Sequence, residues 1–269
     1  MKKGIVLLAM LAVVFSCVGI AAAGELGTSV SAEYKTRNML YGFDTFQDDD
    51  GAFFPSTKLD LWGTGFSAEV LGKFATEGEH SEQQELDYTL AYDFSLMKDE
   101  STQTDMTLNY TYYNFFKHNS EDFDFYEVGA KFAMPNIVGN NVVPYYRVVF
   151  LEPIKGGNEG DVNVDNAPGF DNLRGWLHIF GVDYTMNLEC PMSETKQPIV
   201  FGASTVYNDG VADGIDHDWS HATFEVKAPI ADVMGGTLTP SVAYQVTMED
   251  SVNDDKDEVI FGIKYTYAF

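Results

Sequence analysis

Apolar and polar residues alternate with a period of two along most of this chain. The clearest run is 85–96. Leu86, Tyr88, Leu90, Tyr92, Phe94 and Leu96 share one face, and Glu85, Asp87, Thr89, Ala91, Asp93 and Ser95 share the other. Successive side chains of a strand point to opposite faces, so the run predicts a strand with one apolar and one polar side. The pattern recurs and predicts twelve strands, at about 28–41, 53–63, 65–75, 84–96, 103–116, 123–134, 142–152, 175–187, 198–208, 218–229, 237–248 and 258–269. In the last, Val259, Phe261, Ile263, Tyr265, Tyr267 and Phe269 lie opposite Lys264 and Thr266, and the strand stops with the chain. Past the N-terminal segment, no stretch approaches the ~20 apolar residues of a membrane helix.

The connections alternate as well. Those at 42–52, 76–83, 117–122, 153–174, 209–217 and 249–257 are mostly long, Gly-rich or acidic, with Asp48-Asp49-Asp50 in the first. Those at Thr64, 97–102, 135–141, 188–197 and 230–236 are mostly shorter. Long outer loops, short inner turns and an even strand count predict an all-β fold, a closed antiparallel transmembrane β-barrel with both termini on the periplasmic side. Parity places charges on the inner face: Glu33, Lys35 and Arg37 on the first strand, then Lys58, Asp60, Glu127, Lys131, Arg147, Asp183, Glu225, Lys227 and Lys264. These nearly balance in sign and are the expected pore-lining residues. Asp87, Thr89 and Asp93 should face inward with them, and Leu90 and Tyr92 outward. Strands seven to nine are apolar on both faces (Val142-Val143, Val148-Val149-Phe150), so an inward-folded loop should cover them, with 153–174 the expected one.

The ends of the chain add an address. Lys2 and Lys3, an apolar run from Ile5 to Ile20 and Ala21-Ala22-Ala23 make a secretory signal peptide over 1–23, leaving 24–269 as a single barrel domain. A rival reading lipidates Cys17 within Val14-Phe15-Ser16-Cys17, although Phe15 fits a lipoprotein site poorly. The 20 Phe and 15 Tyr suit the aromatic girdles of a membrane barrel. Net charge is −25, becoming −27 once Lys2 and Lys3 leave, which excludes nucleic acid as a partner. Cys190 is then the one remaining cysteine, so an internal disulfide is excluded.

Two resemblances sharpen this picture. The terminal strand is similar to that by which Gram-negative outer-membrane barrels are recognised by their assembly machinery, which implies an assembly signal at Phe269. Ser31-Ala-Glu-Tyr34-Lys-Thr-Arg37 with Tyr41-Gly42, together with Gly65-Phe66, Glu85-Leu-Asp-Tyr88, Tyr110-Thr-Tyr-Tyr113 and Tyr126-Glu127-Val128-Gly129, resembles the TorF-type porin family over the first half of the mature chain. That likeness implies a small outer-membrane porin. Asn38 stands where the family pattern has Gly.

Other chemistry is weaker. A rim enzyme needs a nucleophile beside a base. The nearest candidate is Asp216-His217-Asp218-Trp219-Ser220-His221, where adjacent Ser220 and His221 on a regular strand would point apart. His178, between Trp176 and Phe180, falls on the outward face. The acidic runs 48–50, 209–218 and 254–257 lack the register of a dedicated calcium loop and suit looser divalent bridging to lipopolysaccharide. The expected function is passive diffusion of small hydrophilic solutes or ions, with no cofactor and no enzymatic role. The alternatives are a plugged structural or adhesive barrel and a lipid-modifying rim enzyme. Solute identity and oligomeric state leave no trace in the sequence.

Overall fold

A computed structural model describes residues 26–46, 51–76, 84–117, 123–139, 141–154, 174–189, 196–211, 217–250 and 252–269. Twelve long strands run in chain order: β1 (Gly27–Lys35), β2 (Ala52–Asp60), β3 (Phe66–Ala75), β4 (Glu85–Leu96), β5 (Thr104–Asn114), β6 (Phe125–Ala133), β7 (Val142–Pro153), β8 (Gly175–Leu188), β9 (Gln197–Asp209), β10 (Asp218–Lys227), β11 (Gly236–Thr247) and β12 (Glu258–Ala268). Each pairs antiparallel with its neighbours, and β12 pairs back on β1 through Lys264–Glu33 and Tyr267–Val30. The result is a closed twelve-stranded antiparallel barrel, and closure removes the unpaired edges that lipid does not tolerate.

Parity decides which side chains meet lipid. Val30, Tyr34, Phe53, Phe66, Val70, Leu108, Val128, Phe180, Tyr184, Phe224, Val242, Val259, Phe261 and Ile263 are all exposed on the outside. In water such a surface would drive aggregation, whereas in a bilayer it is the apolar band of a transmembrane barrel. Leu90 and Tyr92 belong to this outer set, cross-strand from Tyr110 and Leu108. Thr89 lies inside, its hydroxyl 3.0 Å from that of Thr111.

The connection between β2 and β3 is longer than a lone Thr64. It takes in Trp62, Gly63 and Gly65 at positive φ, and the Thr64 hydroxyl donates to the Leu61 carbonyl at 2.6 Å. A Cβ at Gly65 would collide with the Asp93 carbonyl, so glycine is required there. The turn before β11 carries a short added strand, Ile230–Val233.

The largest departure from expectation is at the first strand. Barrel pairing of β1 ends at Lys35, well short of residue 41. The chain then turns inward and forms a small hairpin, Met39–Leu40 against Phe43–Asp44, with Tyr41 (φ 49°) and Gly42 (φ 102°) at its tip. Leu40 and Tyr41 pack on a buried apolar cluster of Tyr113, Phe115, Phe125, Val149, Leu151, Leu177, Val206 and Val211. These are the inner faces of β5–β9 near the long-loop end, together with Phe115 just beyond β5 and Val211 just beyond β9. The first long loop therefore covers the apolar inner wall that 153–174 was expected to cover. Residues 155–173 lie outside the described residues, as do the signal segment 1–23 and Cys190.

Candidate functional site: the barrel lumen

At the long-loop end the inner polar groups are buried and paired. Glu127 on β6 is 1 % exposed. It accepts from Arg147 Nη2 at 2.5 Å, Asn109 Nδ2 at 2.7 Å, the Tyr113 hydroxyl at 2.7 Å and the Tyr41 hydroxyl at the hairpin tip. A carboxylate survives such burial because charge-assisted bonds occupy its lone pairs. Burial, then the nearby Glu127 charge, pushes the Tyr41 phenol well above its ordinary pKa, so it remains a donor. Alongside, Lys73 of β3 bridges two β4 carboxylates, with Nζ 2.5 Å from Glu85 Oε1 and 3.0 Å from Asp87 Oδ2. Lys73 also lies 5.1 Å from the centre of the Tyr113 ring. The other oxygens, Glu85 Oε2 and Asp87 Oδ1, are buried without a hydrogen-bond partner.

The hairpin is held from several sides. Asn38 closes its base, donating through Nδ2 to Thr45 Oγ1 at 2.6 Å and accepting the Thr45 amide at 2.9 Å. Gln245 of β11 donates to the Gly42 carbonyl at 2.7 Å. Asn253, in the one-turn 3-10 helix Asn253–Asp255, accepts the Asp44 amide at 3.1 Å. Arg37 lies beyond the end of β1 rather than on it, and its Nε is 3.3 Å from Asp44 and 3.0 Å from Glu258. Burial raises the Asp44 carboxyl from its ordinary 3.8 to about 6, against the opposing pull of Arg37 and the Phe46 amide.

Toward the short-turn end the inner face opens. Glu225 pairs there with Lys227 at 2.8 Å, whereas Glu33 and Lys35, 3.3 Å apart, stand at the long-loop end of β1, with Lys35 5.3 Å from the centre of the Phe54 ring. The Lys227 side chain keeps 46 % of its surface exposed, which marks this inner face as wet. Lys131 lies over the Tyr145 ring at 4.3 Å. Asp60 accepts the Gly63 amide at 2.8 Å, and Asp183 borders Gly202. Among the described residues Lys58, Lys264, Asp60 and Asp183 join no ion pair. All of the expected inner charges on the strands project inward by register. Arg147 and Glu127 do so within the buried network, Glu33 and Lys35 beside the hairpin root, and the rest within the wet half.

The structure adds inner-face residues that the sequence reading did not single out as pore-lining. Glu69 faces inward beside Lys58, and Asp105 accepts from Ser95 at the short-turn end, next to Asp93, which was expected inward and accepts from Thr107. Lys73 and Glu69 were accessible to parity on strand three. With Asp44, Glu85, Asp87 and Glu258 included, carboxylates outnumber cations inside, which corrects the expected near-balance.

Ser220 and His221 also need correcting. A β-bulge in the β9–β10 pairing sets Tyr207 against Trp219 and Val206 against His221, leaving Ser220 without a cross-strand partner. An inserted residue breaks the period of two. Both side chains are therefore buried, with Ser220 Oγ 2.8 Å from His221 Nδ1. The imidazole lies under Gly42, where an added Cβ would come within 2.6 Å of Nδ1. The pair braces the hairpin. His178 faces outward as expected, 2.7 Å from the Tyr146 hydroxyl and 3.9 Å from Asp209, which also binds His217 at 2.5 Å. Among the described residues no group of three or more metal-ligating side chains converges. The acidic run 48–50 lies outside the described residues, as do 212–216 of the second run.

No protein-family model matches the sequence, and no curated protein matches it. Solved structures do share the fold. The KdgM porin superposes with a TM-score of 0.53 over 90% of this chain and 99% of its own, at 11% identity. The NanC porin does so at 0.50 over 89% and 98%, also at 11% identity. A KdgM porin in complex with disordered oligogalacturonate gives 0.51 at 10% identity, over 90% and 99%. At such identities the likeness is one of fold, the closed twelve-stranded antiparallel barrel.

Proposed function

We propose that this chain is an outer-membrane, porin-like channel for passive diffusion of small hydrophilic solutes and ions. The observation that carries the reading is the wet, charged inner face toward the short-turn end, where Lys227 keeps 46% of its side chain exposed and Lys58, Lys264, Asp60 and Asp183 join no close ion pair among the described residues. In a packed barrel such charges would pair or be absent, because burying a lone charge is costly. The fold of the KdgM and NanC porins supports the same class, as does the TorF-type likeness of the first half. In this reading the long loops are extracellular and the short turns periplasmic. The signal peptide is removed after Ala23, the terminal strand ending in Phe269 is read by the assembly machinery, and the acidic loops meet lipopolysaccharide through divalent ions.

The inner face of this chain does not favour a polyanion such as the oligogalacturonate of the KdgM complex. Low-dielectric walls magnify lumen charges, so an excess of carboxylates favours cations and neutral solutes over a polyanion. Reversal potentials in planar bilayers under a KCl gradient test this. Cation selectivity, with no block by added oligogalacturonate, is the expected result. Anion selectivity would refute the solute class, and absence of current in every variant described below would refute the channel. A second reading, a non-conducting barrel acting through its loops, draws on the hairpin in the mouth and is separated by the same recordings.

A further inference from the structure

We propose that the hairpin Asn38–Phe46 is a displaceable plug of the lumen, rooted on β2 through Phe46 and latched across the barrel by Tyr41 on Glu127. The inference rests on the channel reading above and says which part of the channel must move.

The geometry of the crossing comes from the strand order. In a ring of twelve, β7 stands opposite β1, and Glu127 lies on the adjacent β6, five strands from β1 one way and seven the other. The hairpin leaves the wall at the end of β1, and its tip hydroxyl reaches Glu127. It therefore spans nearly the full width of the lumen. Gln245 on β11 holds it from the other side through the Gly42 carbonyl. A solute moving along the barrel axis meets this crossing.

Root and tip differ in chemistry. Phe46 is fully buried with Ala52 and Phe54, so the root is an apolar anchor. The tip is held by the packing of Leu40 and Tyr41 on the apolar wall and by directional polar bonds, and its latch partner on the wall does not depend on it. Glu127 keeps Arg147, Asn109 and Tyr113 when Tyr41 leaves. The network below is thus complete in both positions, as a two-position element requires. The hairpin closes on itself through only Met39–Asp44 and Leu40–Phe43, with Asn38 tying its base to Thr45, so it can swing as a unit about the Phe46 root.

Three proteins test the plug, each checked for folding by heat-modifiable migration. Tyr41→Phe and Glu127→Gln weaken the latch and should raise open-channel occupancy in single-channel recordings. One lost hydrogen bond to a charged group changes a two-state ratio at least about ten-fold. The third protein pairs Asp44→Cys with Asn253→Cys in a Cys190→Ser background, because Asn253 reaches the Asp44 amide. Oxidation should hold the hairpin down and reduce current, and dithiothreitol should restore it. If the wild type conducts and the latch variants and oxidised pair conduct identically, the plug is overturned while the channel stands. If no protein conducts, including the latch variants and the reduced pair, both are overturned.

Discussion

Removing the cation shared by Glu85 and Asp87 should cost more than any ordinary surface change. The perturbation is Lys73→Met, which keeps the length and apolar stem of the side chain but deletes its charge. The side chains of Lys73, Glu85 and Asp87 retain only 10%, 2% and 6% of their surface, so water cannot replace the ammonium. At an effective dielectric of 20, each contact near 3 Å is worth about 5 kcal/mol before desolvation is subtracted. Breaking a buried pair by removing one partner costs about 3–5 kcal/mol, and here two carboxylates are stranded on the same face of β4. Against a typical stability of about 5–15 kcal/mol, the loss is severe. Asp87→Asn is expected to be mild, within about 1 kcal/mol, because it leaves Lys73 and Glu85 as a one-to-one pair. The triple variant Lys73→Met, Glu85→Gln, Asp87→Asn should recover most of the loss, since no uncompensated charge remains. Reversible urea unfolding in lipid vesicles, followed by tryptophan fluorescence and heat-modifiability, measures all three. A Lys73→Met barrel as stable as wild type would show that the cluster is hydrated. A triple variant as weak as the single one would show that packing rather than charge is responsible.

Three further outcomes are expected. Leu90→Lys should destabilise the barrel by about 2–4 kcal/mol if Leu90 sits near the membrane midplane, whereas Thr89→Lys, inside the barrel, should cost about 1 kcal/mol, little more than its bond to Thr111; equal sensitivity in the same unfolding assay would refute the parity assignment of β4. Phe269 is 77% exposed and is tied to β1 only by its amide on the Thr28 carbonyl at 2.8 Å, so Phe269→Ser should lower folded yield in cells while leaving the unfolding midpoint of the recovered barrel unchanged; a shifted midpoint with normal yield would contradict an assembly role. Asp44, facing Arg37 and Glu258, holds its proton more tightly when docked (about 6) than when released into water (3.8), so docking weakens as pH rises from about 4 through 6 and then levels off; current should be lower at pH 4.5 than at pH 7, and Asp44→Asn should flatten that difference.

The strands were legible because a barrel wall imposes a single rule on every residue, lipid on one side and lumen on the other. Leu86 to Leu96 obeys it without exception, and the structure pairs that strand over its full length with β5. The rule also carried the inner charges, since a charge on the lipid side is costly. It failed in two ways. At Ser220–His221 one inserted residue shifts the phase, and nothing in Trp-Ser-His-Ala distinguishes a bulge from a regular strand. The first strand was also carried on to residue 41, although past Lys35 the alternation breaks, with Thr36 and Asn38 polar on the outer parity and Met39 and Tyr41 apolar on the inner, and the chain has left the wall.

That second failure has a physical reason, which bears on how the mouth is built. Residues 38–46 pack inside the barrel against side chains from several strands, so their environment is set by residues about 200 positions away, with Asp44 reaching Asn253 at a separation of 209 and Gly42 reaching Gln245 at 203. Local period carries no record of such partners. The local marks that do exist are chemical. Asn38 supplies both a side-chain donor and a carbonyl to Thr45, closing the base of the hairpin as Gly could not. Tyr41-Gly42 supplies the positive-φ turn, and Gly42 alone leaves room for His221 beneath it. Asn38 thus closes the base of the hairpin that crosses this lumen. Replacing Asn38 with Gly removes the Nδ2 bond to Thr45 and frees the backbone at the base. It should loosen the hairpin without touching Glu127 or the barrel wall, which makes the base and the latch separable controls on one moving part.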